Sequence, residues 1–167
     1  PKALNSLNLE MCQLIKSHLT DFKENKVSAM IMDSTGDKSF CAGGDVKLIY
    51  DDVVKGGDNL GTGATGRIST DFFKEEYEMN YMLGTSSVPQ VSIWNGIVMG
   101  GGVGVSVLGD FRVCTEKTMF AMPETAIGLF PDVGSSAWLP HLSPGVGEYI
   151  GLTGVRLGPY DLIHTGR

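Results

Sequence analysis

The chain has 167 residues, enough for one domain with a real core, and its 42% hydrophobic and 8% aromatic content is that of an ordinary soluble globular protein. A net charge of −6 argues against a general nucleic-acid or anionic-membrane binder, while leaving room for a local basic patch that meets a phosphorylated small molecule. No apolar run reaches the ~18 residues needed to span a membrane.

Leu7 to Asn25 reads as an amphipathic helix capped by Asn8, with Met11, Leu14, Ile15, Leu19 and Phe22 on one face. VSAMIM (Val27 to Met32) suits a buried strand. The polar turn DSTGDKS and then FCAGGD follow it, and Val46 to Lys55 reads as a helix. Gly56 to Gly66 has the composition of a flexible loop; its GTGATGR fragment lacks the GK[ST] ending of a phosphate loop. Thr70 to Leu83 predicts a second amphipathic helix ending at Gly84, and VSIW (Val91 to Trp94) a second buried strand. MGGGVGVSVLG reads as a glycine-rich entry into a short helix, FRVCT and TMFAM as two short strands, and Val133 to Leu139 and Val146 to Leu152 as helical pieces. Alternating strands and helices predict an α/β fold.

Cys12, Cys41 and Cys114 are scattered, and His18, His141 and His164 are equally dispersed, so neither a zinc site nor a Cys–His nucleophile is suggested. GxGxxG started at Gly100 or Gly102 meets a valine at its last position, which removes the dinucleotide fingerprint. Glycines after a strand also allow close approach to backbone N–H groups, and two such donors converging on one oxygen make an oxyanion hole. FCAGGD and MGGGVG supply two such loops, unless both are merely tight turns. Between Lys117 and Glu148, apart from His141, the only ionisable acids or bases are Glu124 and Asp132, each after a proline in AMPETAIGLFPDVG. Carboxylates in such apolar company serve as acid, base or nucleophile, or else cap helices, as Asp132 before VGSSAW would.

FCAGGD, NGIVMGGGVG and FAMPETAIGLFPDVG, in this order, resemble the crotonase (enoyl-CoA hydratase/isomerase) superfamily, and more closely its 3-hydroxyisobutyryl-CoA hydrolase family. The resemblance runs from PKALNSLNLEM to LTGVRLGPYDLIHTGR. It implies a spiral of ββα units, in an incomplete copy, with an acyl-CoA bound across it. By matching position the oxyanion donors would be the N–H groups of Ala42 and Gly101, with Gly43 close by. Glu124 would be the principal catalytic carboxylate, Asp132 its partner, and Glu76 a residue lining the acyl pocket, with Glu75 its confusable neighbour. Asp45 would shape the FCAGGD loop at the substrate site, and Lys38 is a weak candidate for the CoA phosphates.

Hydratases of the superfamily resemble GGGxE where this chain has Gly104, so a two-acid hydration loses one partner and thioester hydrolysis is favoured. No metal or redox cofactor is expected, CoA entering as part of the substrate. The resemblance further implies homo-oligomers, mitochondria (or peroxisomes) and valine breakdown. SSAW after PDVG departs from relatives and is expected to let Trp138 reshape a pocket wall. The single core segment 1–167 is expected to lack N-terminal strands and a C-terminal region, and with no initiating methionine before Pro1 any leader lies outside it. The rival readings are an enoyl-CoA hydratase/isomerase and a non-catalytic scaffold in a larger assembly.

Overall fold

The computed structural model describes residues 3–55 and 68–165. The stretch Gly56 to Gly66, with its GTGATGR fragment, lies outside the described residues.

Helix α1 (Leu9–Glu24) begins where Asn8 accepts a hydrogen bond from the Met11 N–H at 2.9 Å, satisfying one of the donors a helix leaves unpaired at its start. Cys12 and Leu19 are buried, and Met11, Ile15 and Phe22 pack against the core. Leu14, expected on that face, is 51% exposed, because it lies beyond Met11 on the side away from Cys12.

Two three-stranded parallel sheets organise the chain. One is ordered β1 (Met30–Met32), β3 (Gln90–Trp94), β5 (Phe111–Cys114); the other β2 (Ser39–Cys41), β4 (Ile97–Met99), β6 (Met119–Ala121). Each turn of chain gives one strand to each sheet before a helical segment carries it back. That segment is α2 (Val46–Lys55) with α3 (Ile68–Gly84) after the first pair of strands and α4 (Gly101–Gly104) after the second. After the third come a 3-10 turn (Glu124–Ile127) and α5 (Ser135–Trp138). The expected ββα spiral is therefore present. The helices α6 (Val146–Thr153) and α7 (Pro159–Thr165) follow.

VSAMIM is strand only over Met30–Met32, and Ile31 is 72% exposed rather than buried. Ile31, Val91 and Phe111 share one row of the ladder, so they stand on the same outer face. The helix expected from Val133 begins only at Ser135, because Val133 (φ 44°) and Gly134 (φ 81°) are left-handed.

The core gathers Phe40, Phe72, Met79, Trp94, Val98, Phe120 and Met122 between the sheets and α3. On α3 the buried stripe is Phe72, Glu76, Met79, Asn80 and Leu83, a helical spacing that carries two polar side chains into the interior. Helix α4 meets β2 so closely that a side chain at Gly102 would run into the Cys41 carbonyl. Backbone cannot step aside as a flexible side chain can. Gly102→Ala is expected to destabilise the protein by about 3 kcal/mol or more, read as a lowered midpoint of urea denaturation.

Candidate active site

Parallel pairing of β2 with β4, with Cys41 opposite Val98, sets the loops after the two strands side by side. The first loop is held by the segment in front of α1. The Leu7 N–H donates to Gly43 O and the Asp45 N–H to Leu7 O, both at 2.8 Å. The Ala42 N–H donates to Leu4 O at 3.2 Å, so the donor expected there is already engaged. The N–H that faces the second loop belongs to Gly44: a side chain on Gly101 would start 3.3 Å from the Gly44 nitrogen. Neither the Gly44 nor the Gly101 N–H has a backbone acceptor among the described residues. Gly43, at φ 102°, forms the bend between Ala42 and Gly44 and lies against Met99 O.

Glu124 stands against Gly100, at the start of the second loop. It opens the 3-10 turn after β6, is 6% exposed, and caps nothing: its Oε2 has no hydrogen-bond partner among the described residues. Its Oε1 would lie 2.7 Å from a side chain on Gly100, whose φ of 48° and lack of a Cβ are both required for that approach. Burial pushes the Glu124 carboxyl up to about 7, a bond with its own backbone N–H opposes the rise, and the Asp132 charge adds to it.

Glu76 reaches the same place from α3. It is 2% exposed, not on a solvated helix face, and its Oε1 would lie 2.5 Å from a side chain on Gly101. Burial, then the charges of Asp132 and Glu124, push it up to about 8. Glu75 turns outward, where it and Glu78 pair with Lys16 at 2.8 and 2.5 Å. The neighbouring glutamates are thus told apart by the side of the helix they occupy.

Asp132 does not cap α5. Gly134 holds that position, and Asp132 Oδ2 accepts a 2.6 Å hydrogen bond from the Tyr77 hydroxyl. Burial and the Asp132 bond push the Tyr77 hydroxyl well above its ordinary range, so it stays a donor. Val133 follows in a left-handed conformation that a β-branched residue rarely adopts, a local strain the packing around it holds in place. A side chain at Gly104 would begin 2.5 Å from Val133 Cβ and 3.0 Å from Asn80 Oδ1, so the place where hydratases carry their additional glutamate is filled here.

Asp45 accepts from the Leu48 N–H at 3.1 Å and so caps α2, shaping the loop. Lys38 is exposed. Trp138 packs edge-on against Phe120 and lines a separate cavity of about 380 Å³ with Trp94, Cys114 and His141. It therefore does not reshape the wall beside Asp132. That wall belongs to a cavity of about 530 Å³ bounded by Tyr77, Asn80, Leu108, Phe130, Asp132 and Val133. Tyr77 and Asn80 escape a motif-based reading, although Asn80 follows Glu76 by one helical turn on the stripe of Phe72, Met79 and Leu83. Among the described residues no three His, Cys, Asp or Glu side chains converge to hold a metal ion, and no helix is long and apolar enough to cross a membrane.

Two glycine loops side by side, with buried acids beside them and N–H groups that have no backbone acceptor among the described residues, define a spiral-fold enzyme-like site, and comparison with known proteins gives the family. Residues 1–167 match the enoyl-CoA hydratase/isomerase family, and the chain belongs to it. It is 47% identical over 167 residues to the mitochondrial 3-hydroxyisobutyryl-CoA hydrolase of Gallus gallus, covering 99% of this chain and 41% of that protein. The Homo sapiens protein of the same name is 44% identical, with the same two coverages. Among solved structures, an enoyl-CoA hydratase from Rhodobacter sphaeroides superposes with a TM-score of 0.86 at 38% identity, covering 99% of this chain and 47% of that one. A carnitinyl-CoA dehydratase from Mycobacterium thermoresistibile also gives 0.86, at 37% identity and coverages of 98% and 46%. The chain thus spans about two fifths of the length of these curated relatives.

The buried acids give stability a direction with pH. Between an ordinary carboxyl value of 4.5 and about 8, folded Glu76 keeps a proton that the unfolded chain has lost. Its contribution is therefore fully present below about 4.5 and is lost as pH rises through about 8. Urea midpoints are expected to fall across that window in the wild type and to fall less steeply in Glu76→Gln. A slope unchanged by the substitution would remove Glu76 as its source.

Proposed function

We propose that this chain forms the core of a thioester hydrolase that converts 3-hydroxyisobutyryl-CoA, a short branched β-hydroxyacyl-CoA, to the free acid and CoA. The observation that carries the reading is the buried Glu124 carboxyl, its Oε2 unpartnered among the described residues, set against Gly100 in the loop whose Gly101 N–H, like that of Gly44 across from it, has no backbone acceptor among those residues. The names of the relatives support the substrate, and their mitochondrial location and the link to valine breakdown come to this chain as part of the same proposal.

In this mechanism the thioester carbonyl oxygen accepts from Gly44 and Gly101 N–H, which stabilise the charge that builds on it as the carbon becomes tetrahedral. Glu124 acts in one of two ways. As a base it takes a proton from water while the water oxygen bonds to the carbonyl carbon. As a nucleophile it bonds to that carbon itself, giving a mixed anhydride that water then opens. In either route the C–S bond breaks and the CoA thiolate takes up a proton. Asp132, held by the Tyr77 hydroxyl, orients the water or relays that proton. Glu76, pushed up to about 8, is largely neutral at pH 7 and lines the acyl site without adding a further negative charge beside Glu124. Water and the thioester supply every reacting atom, so the proposal includes no metal or redox cofactor. With Val133 and Asn80 filling the place beside Gly104, the two-acid hydration has no room for its additional glutamate.

Thiol release from 3-hydroxyisobutyryl-CoA by the full-length protein is the test. Glu124→Gln is expected to lower kcat by about 10²- to 10⁴-fold, and Asp132→Asn by less. Since Glu124 works deprotonated, the wild-type rate is expected to rise with pH through about 7 and then level off. Unchanged release after Glu124→Gln would remove it from the chemistry. Hydration of crotonyl-CoA without thiol release would assign the hydratase reading, and neither activity the scaffold.

A further inference from the structure

Asn80 is a polar side chain that no part of the reaction above uses. It is 3% exposed, yet neither Nδ2 nor Oδ1 has a hydrogen-bond partner among the described residues. An amide buried in that state is costly unless something completes it, and an apolar side chain such as leucine, branched at the same carbon, would have continued the stripe of Phe72, Met79 and Leu83. Asn80 is also a lining residue of the cavity that carries Asp132, Tyr77 and Val133, with its amide buried just behind that wall. Polar side chains line the cavity too, Tyr77, Asp132 and Ser135 among them, but none bonds to the amide, and Leu108, Phe130 and Pro131 have no side-chain polar atom to offer.

Its position follows from two helices. Along α3 Asn80 stands one turn beyond Glu76, and across the gap its Oδ1 lies 3.0 Å from where a side chain of Gly104 would begin, one turn along α4 from Gly101. One helical turn is about 5.4 Å. A thioester carbonyl held at Gly101 with its acyl chain running along α4 would bring the substituent two carbons along that chain toward the amide. A hydroxyl is both donor and acceptor, and matches an amide with both functions unmet.

Resting on the hydrolase reading above, we infer that Asn80 is a specificity-determining residue whose side-chain amide hydrogen-bonds the 3-hydroxyl group of the acyl chain. The apolar walls then hold the branched carbon skeleton, and the amide distinguishes a hydroxylated acyl group from its deoxy analogue. A site built to bond a hydroxyl rejects the analogue lacking it, because its buried polar group stays unpaired.

The experiment compares kcat/KM for 3-hydroxyisobutyryl-CoA with that for isobutyryl-CoA, which differs only in lacking the hydroxyl. It uses the full-length wild type, Asn80→Leu and Asn80→Asp, with thermal melting to confirm that each variant is folded. The wild type is expected to prefer the hydroxylated ester by about tenfold or more. Asn80→Leu is expected to lower that ratio by about tenfold, and Asn80→Asp, which keeps an acceptor, to retain part of it. A ratio unchanged in folded variants overturns the role of Asn80. So does a wild type that does not discriminate between the esters, a result that needs no variant to fold. A wild type that releases CoA from neither ester overturns the hydrolase reading itself, and with it this inference.

Discussion

The site depends on the parallel pairing of β2 with β4. Each strand is three residues long, and each ends in a loop whose glycines let backbone meet backbone. Registering Cys41 against Val98 places Gly43 and Gly44 beside Gly100 and Gly101. A slip by one residue would turn alternate side chains to the opposite face and separate the loops. The register is guarded from both sides. Leu7 pairs with Gly44 and ties the first loop to the segment before α1, while Gly102 admits the Cys41 carbonyl against α4. Packing that looks structural is thus what brings the Gly44 and Gly101 backbones side by side.

Around that point the protein concentrates negative charge instead of neutralising it. The Asp132 charge raises the cost of ionising Glu76 and Glu124, the Glu124 charge adds to that of Glu76, and none of the ion pairs found among the described residues reaches them: Lys16 is held by Glu75 and Glu78 on the outer side of α3. Desolvation is the larger cause for both glutamates, so the apolar surroundings set their basicity and the neighbouring acids adjust it. The arrangement lowers stability above mildly acidic pH and leaves a carboxyl that exchanges its proton near neutrality. A left-handed Val133 beside Asp132 adds backbone strain at the same place. Costs of this kind collect where a fold holds reactive groups.

Much of the architecture was legible because local patterns were long enough to repeat. α1 shows its period and its Asn8 cap, α2 and α6 match their expected spans closely, and VSIW stands out as the centre of β3. The second sheet was harder to see. All three residues of β2 are buried, so Ser39–Cys41 shows no alternation, and β4 is short enough to pass for the turn before MGGGVG. α7 and the 3-10 turn at Glu124 were likewise hidden, being too short for a period to emerge. Glu124 and Asp132 drew attention because an acid is conspicuous in apolar company, and Glu76 entered through a family resemblance. Asn80 gave no such signal, since an asparagine on a helix is ordinary until the helix is seen to be buried on that side.

The sequence by itself determined the class of fold, the two glycine loops and the identity of the acids, because composition, periodicity and motif order are properties of the chain. Only the tertiary structure decided which groups are free to act. Ala42 and Gly44 are equally able to donate as isolated residues, and it is the contact of Ala42 N–H with Leu4 O that leaves Gly44 to face Gly101. Asp132 could have capped a helix, and the left-handed turn at Val133 and Gly134 gives it to Tyr77 instead. Hydrogen-bond partnership and burial arise from residues far apart in the chain, and no local pattern encodes them.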